Sequence, residues 1–200
     1  MINRTIFSLL VATLLVPLSA SVDNGEKAPG FTLKTAQGEE VSLSDYAGKT
    51  VVLEWLNPGC PFVRKFYSNS DMGEFQEKAK EMGVVWLSIN STHPTHRDYL
   101  TPKKSMNWAK EHDHAAKWLM DPEGSVGKAY GAKTTPHMFI INPEGKVIYQ
   151  GAIDSIRNAD PSSIPEATNY VMEALQAVES GMDIPDSRTR PYGCSVKYGS

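Results

Sequence analysis

The sequence predicts an α/β domain whose central strands are covered by helices, and three observations carry that prediction. Two nearly continuous apolar runs, Val51–Leu56 and Val84–Ile89, have the make-up of strands buried on both faces. Segments with helical spacing separate these runs from each other and from later strands, so strand and helix alternate along the chain. The 200 residues are 40% hydrophobic and 22% charged, which suits one soluble domain with a sizeable core and calls for no second one.

The elements follow in order. Residues 1–20 have the form of an export signal: Arg4 is the positive start, Ile6–Leu18 the apolar stretch and Leu18-Ser19-Ala20 a small-residue cleavage site. The stretch is short for a permanent span, so the expectation is a mature chain that starts near Ser21, is not inserted in a membrane, and works in the periplasm or outside the cell. Phe31–Leu33 and Glu40–Leu43 flank Gln37-Gly38 as an N-terminal β-hairpin, and Ser44–Gly48 turns into the strand Val51–Leu56, whose one polar member is Glu54. A helix opens at Pro61 and breaks around Ser68–Asp71. Met72, Phe75, Ala79 and Met82 then mark a second helix, stopped by Gly83.

After the strand Val84–Ile89, Thr101-Pro102 caps a helix that runs to about His112. Trp118–Met120 is a brief strand, and Asp121-Pro122 starts a short helix that Gly131 stops. Met138–Ile141 and Val147–Gln150 form a hairpin around Asn142–Gly145, and a closing helix covers Ile164–Ser180. The domain is thus expected over residues 21–181. The extended C-terminal tail, residues 182–200, is rich in Pro, Gly, Ser and Arg and is expected to stay mobile and add nothing to the core, yet it holds Cys194.

The formal net charge of −3 and the lack of a basic stripe exclude nucleic-acid partners. Chemistry concentrates on the cysteines. Cys60 follows a strand and a turn and opens a helix, where unpaired N–H groups and the helix dipole favour a thiolate. Pro61 takes a first helical position that needs no N–H, and Gly59 lets the backbone turn beneath the sulfur. With two cysteines in an exported chain, one intramolecular pairing exists, Cys60 with Cys194, either a permanent staple or a working redox couple. A cysteine on a mobile tail suits a resolving thiol, which must reach another sulfur and then let go.

The segment Trp55-Leu56-Asn57-Pro58-Gly59-Cys60-Pro61-Phe62-Val63, together with Thr134-Thr135-Pro136, resembles the thioredoxin-like superfamily. Within it the chain is similar to the redoxins grouped as alkyl hydroperoxide reductase and thiol-specific antioxidant proteins, over roughly Gly25–Gly181. The resemblance implies a central mixed β-sheet flanked by helices, with a cis Pro136 facing Cys60 and shaping the substrate groove. It implies that Glu54, six residues before Cys60, is a buried acid that moves protons for the sulfurs. Asn57, Pro58, Gly59, Pro61, Thr135 and His137 would then border the substrate.

Gly193-Cys194-Ser195-Val196-Lys197-Tyr198 is similar to a tail found in one exported, peroxiredoxin-like branch, which pairs Cys194 with Cys60 functionally. There are departures. Cys60-Pro61-Phe62-Val63 lacks the second cysteine of Cys-x-x-Cys, and Leu53 and Asn57 stand at the proline and threonine places of Pro-x-x-x-Thr-x-x-Cys. Pro136 stands about where peroxiredoxins carry an activating arginine, and Arg64 would have to point back to replace it.

These features predict an exported thiol–disulfide oxidoreductase. Cys60 attacks, Cys194 resolves, and an external thiol reductant, thioredoxin-like or small, restores the dithiol. The substrate is a protein disulfide or a hydroperoxide, and neither cofactor nor metal is expected. His93, His96, His112 and His114 are read as solvated, and His137 as a residue that tunes the thiol. Two alternatives stand beside it: a peroxiredoxin-like hydroperoxide reductase, and a non-catalytic binding module in which Cys60–Cys194 is a structural staple. The loop Ser91–Leu100 is expected to border the site.

Overall fold

The computed structural model describes residues 21–199, so the export signal expected over residues 1–20 lies outside the described residues. Nine strands, five α-helices and two 3₁₀ turns follow in the described chain. The hairpin is β1 (Thr32–Thr35) with β2 (Glu40–Ser42), paired with Leu33 opposite Val41. A 3₁₀ turn over Leu43–Tyr46 leads to β3 (Val51–Trp55), then α1 (Pro61–Tyr67), α2 (Asp71–Glu81) and β4 (Val85–Asn90). The chain continues through α3 (Pro102–Glu111), β5 (Lys117–Met120), α4 (Ser125–Tyr130), β6 (Thr134–Thr135), β7 (His137–Ile141) and β8 (Val147–Gly151). A 3₁₀ turn, α5 (Tyr170–Glu179) and β9 (Cys194–Ser195) complete it.

Seven strands form one mixed sheet in the order β2-β1-β5-β4-β3-β7-β8. β3 lies inside, parallel to β4 and antiparallel to β7, which is why its sequence is apolar on both faces. Alternation along β3 divides the core. Val52 and Leu56 face one cluster with Phe66, Met72, Val171 and Leu175, beneath α1, α2 and α5. Val51, Leu53 and Trp55 face the other, beneath α4.

Three expectations are corrected. The helix expected from Asp121-Pro122 begins at Ser125, because Asp121 sits buried in a turn and its carboxylate accepts the N–H groups of Val126 and Gly127. The closing helix begins at Tyr170, where Asn169 caps the Met172 N–H. The segment before it, Pro161–Glu166, is a 3₁₀ turn with Pro165 inside, which removes a helical donor.

The third correction is the tail, which packs on the body instead of standing free. β9 pairs antiparallel with β6, Tyr192 and Val196 are buried, and the Tyr198 hydroxyl donates to the Ala132 carbonyl. Composition averaged over residues 182–200 hides these few anchoring side chains among turn formers. Gly193 makes the approach feasible, with a φ of 128° and no side chain; a Cβ there would collide with the Thr135 carbonyl. Tyr192 also donates to Asp154, which forms a 2.6 Å ion pair with Lys65 on α1.

Among the described residues no helix is long and apolar enough to cross a membrane.

Candidate active site

The site starts at the end of β3, where Asn57 organises a tight turn. Its backbone carbonyl accepts from Cys60 N–H at 2.9 Å and its side-chain Oδ1 from Gly59 N–H at 2.8 Å. Cys60 is the N-cap of α1, with extended φ and ψ of −83° and 125°, and Pro61 is the first helical residue. The reason for Gly59 differs from the expected one. A Cβ there would fall 2.6 Å from Cγ of Asp98, so the glycine leaves room for the Asp98 side chain of the Ser91–Leu100 loop, which borders the site.

Cys60 is only 1% exposed. Its thiol donates to the Thr135 carbonyl at 3.0 Å, and the Cys194 N–H donates to its sulfur at 3.4 Å. Register explains the meeting: Cys194 on β9 lies opposite Thr135 on β6, and the Thr135–Pro136 bond that follows is cis. Both cysteines are free thiols in this structure. Burial pushes the Cys60 thiol up, but hydrogen bonds from the Cys194 side chain and N–H, from the Thr135 side chain and from Val63 N–H outweigh it, and the net shift is downward. Burial, the hydrogen bond with Cys60 and the negative charge of Cys60 push Cys194 up to about 11. The two thiols are therefore shifted in opposite directions, Cys60 toward easier ionisation and Cys194 toward keeping its proton.

Glu54 is fully buried and faces the same cluster of the core as Cys60. Its carboxylate accepts from the Tyr67 hydroxyl at 2.9 and 3.1 Å, Gln76 Nε2 at 3.3 Å, Trp86 Nε1 at 2.9 Å and Ser88 Oγ at 2.8 Å. Burial raises its pKa, and these four donors offset only part of the rise. None of its hydrogen bonds goes to Cys60.

Beside the Cys60 turn lies a cleft of about 360 Å³ lined by Pro58, Gly59, Arg64, Asp98, Leu100 and Trp108, among others. Arg64 points its Nε at the Pro58 carbonyl, 3.0 Å away. The amide Nδ2 of Asn57 is buried with no hydrogen-bond partner among the described residues.

Two histidine expectations are corrected. His137 does not join the cysteines. It lies opposite Trp55 in the sheet, on the other face, packed at a tilt against Phe139 and accepting from Lys133 N–H, and burial pulls its pKa down to about 3. The strand parity of Pro136-His137 carried that information, since neighbours on a strand point to opposite faces. His114 is only partly solvated: its ring stacks on Tyr67 and packs against Trp118, Nε2 lies 2.9 Å from Ser88 Oγ, and burial pulls its pKa down to about 4.

Sequence reasoning also missed the Glu54 shell of Tyr67, Gln76, Trp86 and Ser88. A hydroxyl inside the buried run Val84–Ile89 was the one visible signal, since Ser88 pairs with Glu54 in register. Among the described residues no three His, Cys, Asp or Glu side chains converge as a metal site.

Residues 24–150 match the AhpC/TSA family. The thiol-disulfide oxidoreductase ResA of Bacillus thuringiensis subsp. konkukian is 29% identical over 126 residues, covering 63% of this chain and 68% of that protein. The crystal structure of a hypothetical protein from Sinorhizobium meliloti 1021 superposes with a TM-score of 0.80 at 26% identity, covering 91% of this chain and 98% of that one. The thioredoxin domain of a thiol-disulfide oxidoreductase from Bacteroides vulgatus gives a TM-score of 0.52 at 23% identity, over 73% and 97% of the two chains, a likeness of fold. The architecture is thioredoxin-like.

Proposed function

The chain belongs to the AhpC/TSA family, and as a thiol-dependent oxidoreductase of that kind we propose that it exchanges disulfides through Cys60 and Cys194. The observation that carries this reading is the meeting of a buried thiol of lowered pKa with a second thiol held up near 11. The Cys60 thiolate attacks one sulfur of a substrate disulfide; a Cys60–substrate disulfide forms, and the other substrate sulfur leaves as a thiolate that takes a proton. Cys194 then gives up its proton and attacks Cys60, forming the Cys60–Cys194 disulfide and releasing the second substrate thiol. The substrate gains two electrons and the protein loses two. An external thiol reductant, thioredoxin-like or small, returns them.

In this reading Glu54 exchanges protons with the attacking and leaving sulfurs. Thr135, Pro136 and the turn Asn57–Pro61 border the place where the substrate sulfur sits, and export over residues 1–20 puts the work in the periplasm or outside the cell. The family match also admits a hydroperoxide: oxygen transfer would give a Cys60 sulfenic acid and an alcohol, and Cys194 would condense with it to release water. Leu53, Asn57 and the Arg64 side chain engaged at Pro58 favour the disulfide.

The test is a pair of variants and an equilibrium. Cys194→Ser accumulates a mixed disulfide on Cys60, and Cys60→Ser abolishes turnover of both substrate classes; retention of turnover by Cys60→Ser refutes the mechanism. In graded glutathione buffers a working couple has a potential between about −120 and −270 mV, and a value below about −300 mV identifies a staple. Stopped-flow oxidation by hydrogen peroxide separates the second reading, because a specialised peroxidase reacts far faster than an ordinary thiolate.

A further inference from the structure

A buried carboxyl that handles protons in each cycle has to exchange them with water, and with the tail docked the cysteine side is closed to it: Glu54 is 0% and Cys60 1% exposed. Of the four side chains around Glu54, two cannot relay a proton. The Trp86 indole and the Gln76 amide N–H groups donate but cannot pass a proton on. Tyr67 is fully buried, and its other polar contact returns to Gln76. Ser88 is different, because a hydroxyl can accept one proton while releasing another, and its oxygen also lies 2.9 Å from His114 Nε2.

His114 in turn lines a cleft of about 300 Å³ between α3 and β5, which has no lining residue in common with the cleft beside Cys60. We propose that Ser88 and His114 form a proton path connecting the Glu54 carboxyl to water in that second cleft. The inference rests on the proposed role of Glu54 in the thiol cycle.

The atoms balance without any co-reactant but water. With Glu54 ionised, Ser88 donates to it and His114 carries its proton on Nε2 toward Ser88. With Glu54 protonated, the carboxyl donates to Ser88 Oγ, the Ser88 proton passes to Nε2, and the Nδ1 proton leaves into the cleft. One proton has moved from Glu54 to solvent, and Ser88 ends as it began.

The surroundings suit such a path. The titratable or charged groups that face it are Tyr67 from α1, in contact with both Glu54 and the His114 ring, and at the cleft the Lys117 of β5 paired with Glu39 at 2.9 Å. α2 contributes only the uncharged Gln76, whose Oε1 accepts the N–H groups of Ala115 and Ala116 and so fixes the segment that carries His114. A residue whose imidazole stays neutral across the working range can hold either tautomer, as a two-ended relay requires.

The experiment uses the full chain, reduced and mixed once with glutathione disulfide, with formation of the Cys60–Cys194 bond followed from pH 5 to 9 by acid quench and mass spectrometry. His114→Ala is expected to slow this step at least about tenfold, added imidazole to restore it, and Glu54→Gln combined with His114→Ala to be no slower than Glu54→Gln alone. Ser88→Ala is expected to slow it equally, with no restoration by imidazole. His114→Gln, which keeps a donor toward Ser88 but cannot pass a proton, guards against a variant that fails to fold, and it is expected to be slow.

A wild-type rate and pH profile in His114→Gln overturns the path, as does a loss in His114→Ala that multiplies with that of Glu54→Gln. If the wild type forms no Cys60–Cys194 bond, the thiol reading fails separately, and carbon-13 NMR of the Glu54 carboxyl still tests the path. Interconversion of its protonated and ionised forms should be slowed by Ser88→Ala, and an unchanged exchange rate overturns it.

Discussion

Glu54 and Lys65 are both buried ionisable groups, and their surroundings treat them in opposite ways. Lys65, with a side chain 0% exposed, has a full counter-charge in Asp154 at 2.6 Å and a further acceptor in the Ile156 carbonyl at 2.9 Å. Removing one partner leaves an uncompensated charge, so Asp154→Ala should destabilise the protein by about 3–5 kcal/mol in urea denaturation. A loss below about 1 kcal/mol would mean that water reaches Lys65. Glu54 has only neutral donors, and burial holds its pKa above the usual carboxylate value. Between the unfolded value, near 4.5, and the raised folded value, the native state binds more protons than the unfolded chain, so stability falls as pH rises through that window. Glu54→Gln is free of this dependence. Whatever offset its mismatched amide introduces, the stability difference should move in favour of Gln from pH 4.5 upward, and a difference that is flat with pH contradicts a raised Glu54 pKa.

At the scale of elements, the site is a meeting of the first turn of α1 with the β6–β9 ladder. The ladder has two residues on each side, so a single steric fault can open it. Gly193→Ala places a methyl group against the Thr135 carbonyl at a positive φ, and it should lift Cys194 away from Cys60. The expected result is a first attack by Cys60 no slower than in the native chain and a resolution step at least about tenfold slower, one factor of ten corresponding to roughly 1.4 kcal/mol of lost positioning. Trapping the mixed disulfide by rapid quench measures both steps, and unchanged resolution would show that the ladder does not position Cys194. The strands and helices that build the body were legible because each carries its own periodicity: the buried run of β3, the proline that opens α1, and Thr101-Pro102 before α3. β9 was not legible. Two residues have no period, and its partner β6 is equally short and lies about sixty residues away in sequence. Likewise, the cysteine turn could be read from local chemistry, whereas the shell of Glu54 comes from α1, α2 and β4, which meet only in the fold.

For the molecule as a whole, the docked tail bears on access to Cys60. The sulfur is 1% exposed and accepts from the Cys194 N–H, so the expectation is that it meets a protein disulfide or a reagent after β9 leaves β6. That opening breaks a two-residue ladder, the Tyr192–Asp154 and Tyr198–Ala132 hydrogen bonds and the packing of Val196 on the core, while the seven-stranded sheet, of which β9 is no member, stays paired. It exposes little surface, so alkylation of Cys60 by iodoacetamide in the reduced protein should rise with urea along a slope well below that of global unfolding. Tyr192→Phe removes a hydrogen bond to a charged acceptor, about 1.5 kcal/mol, and should speed Cys60 labelling roughly tenfold at zero denaturant. The same variant lowers global stability by no more than that amount, so the two effects separate in one urea series. If labelling follows the slope of global unfolding, the tail opens only when the domain does, and substrate would have to reach Cys60 by another route. A shallow slope with faster labelling in Tyr192→Phe makes tail release the step that admits substrate, and it adds a second duty to the one proposed for Cys194, covering Cys60 at rest as well as resolving it after attack.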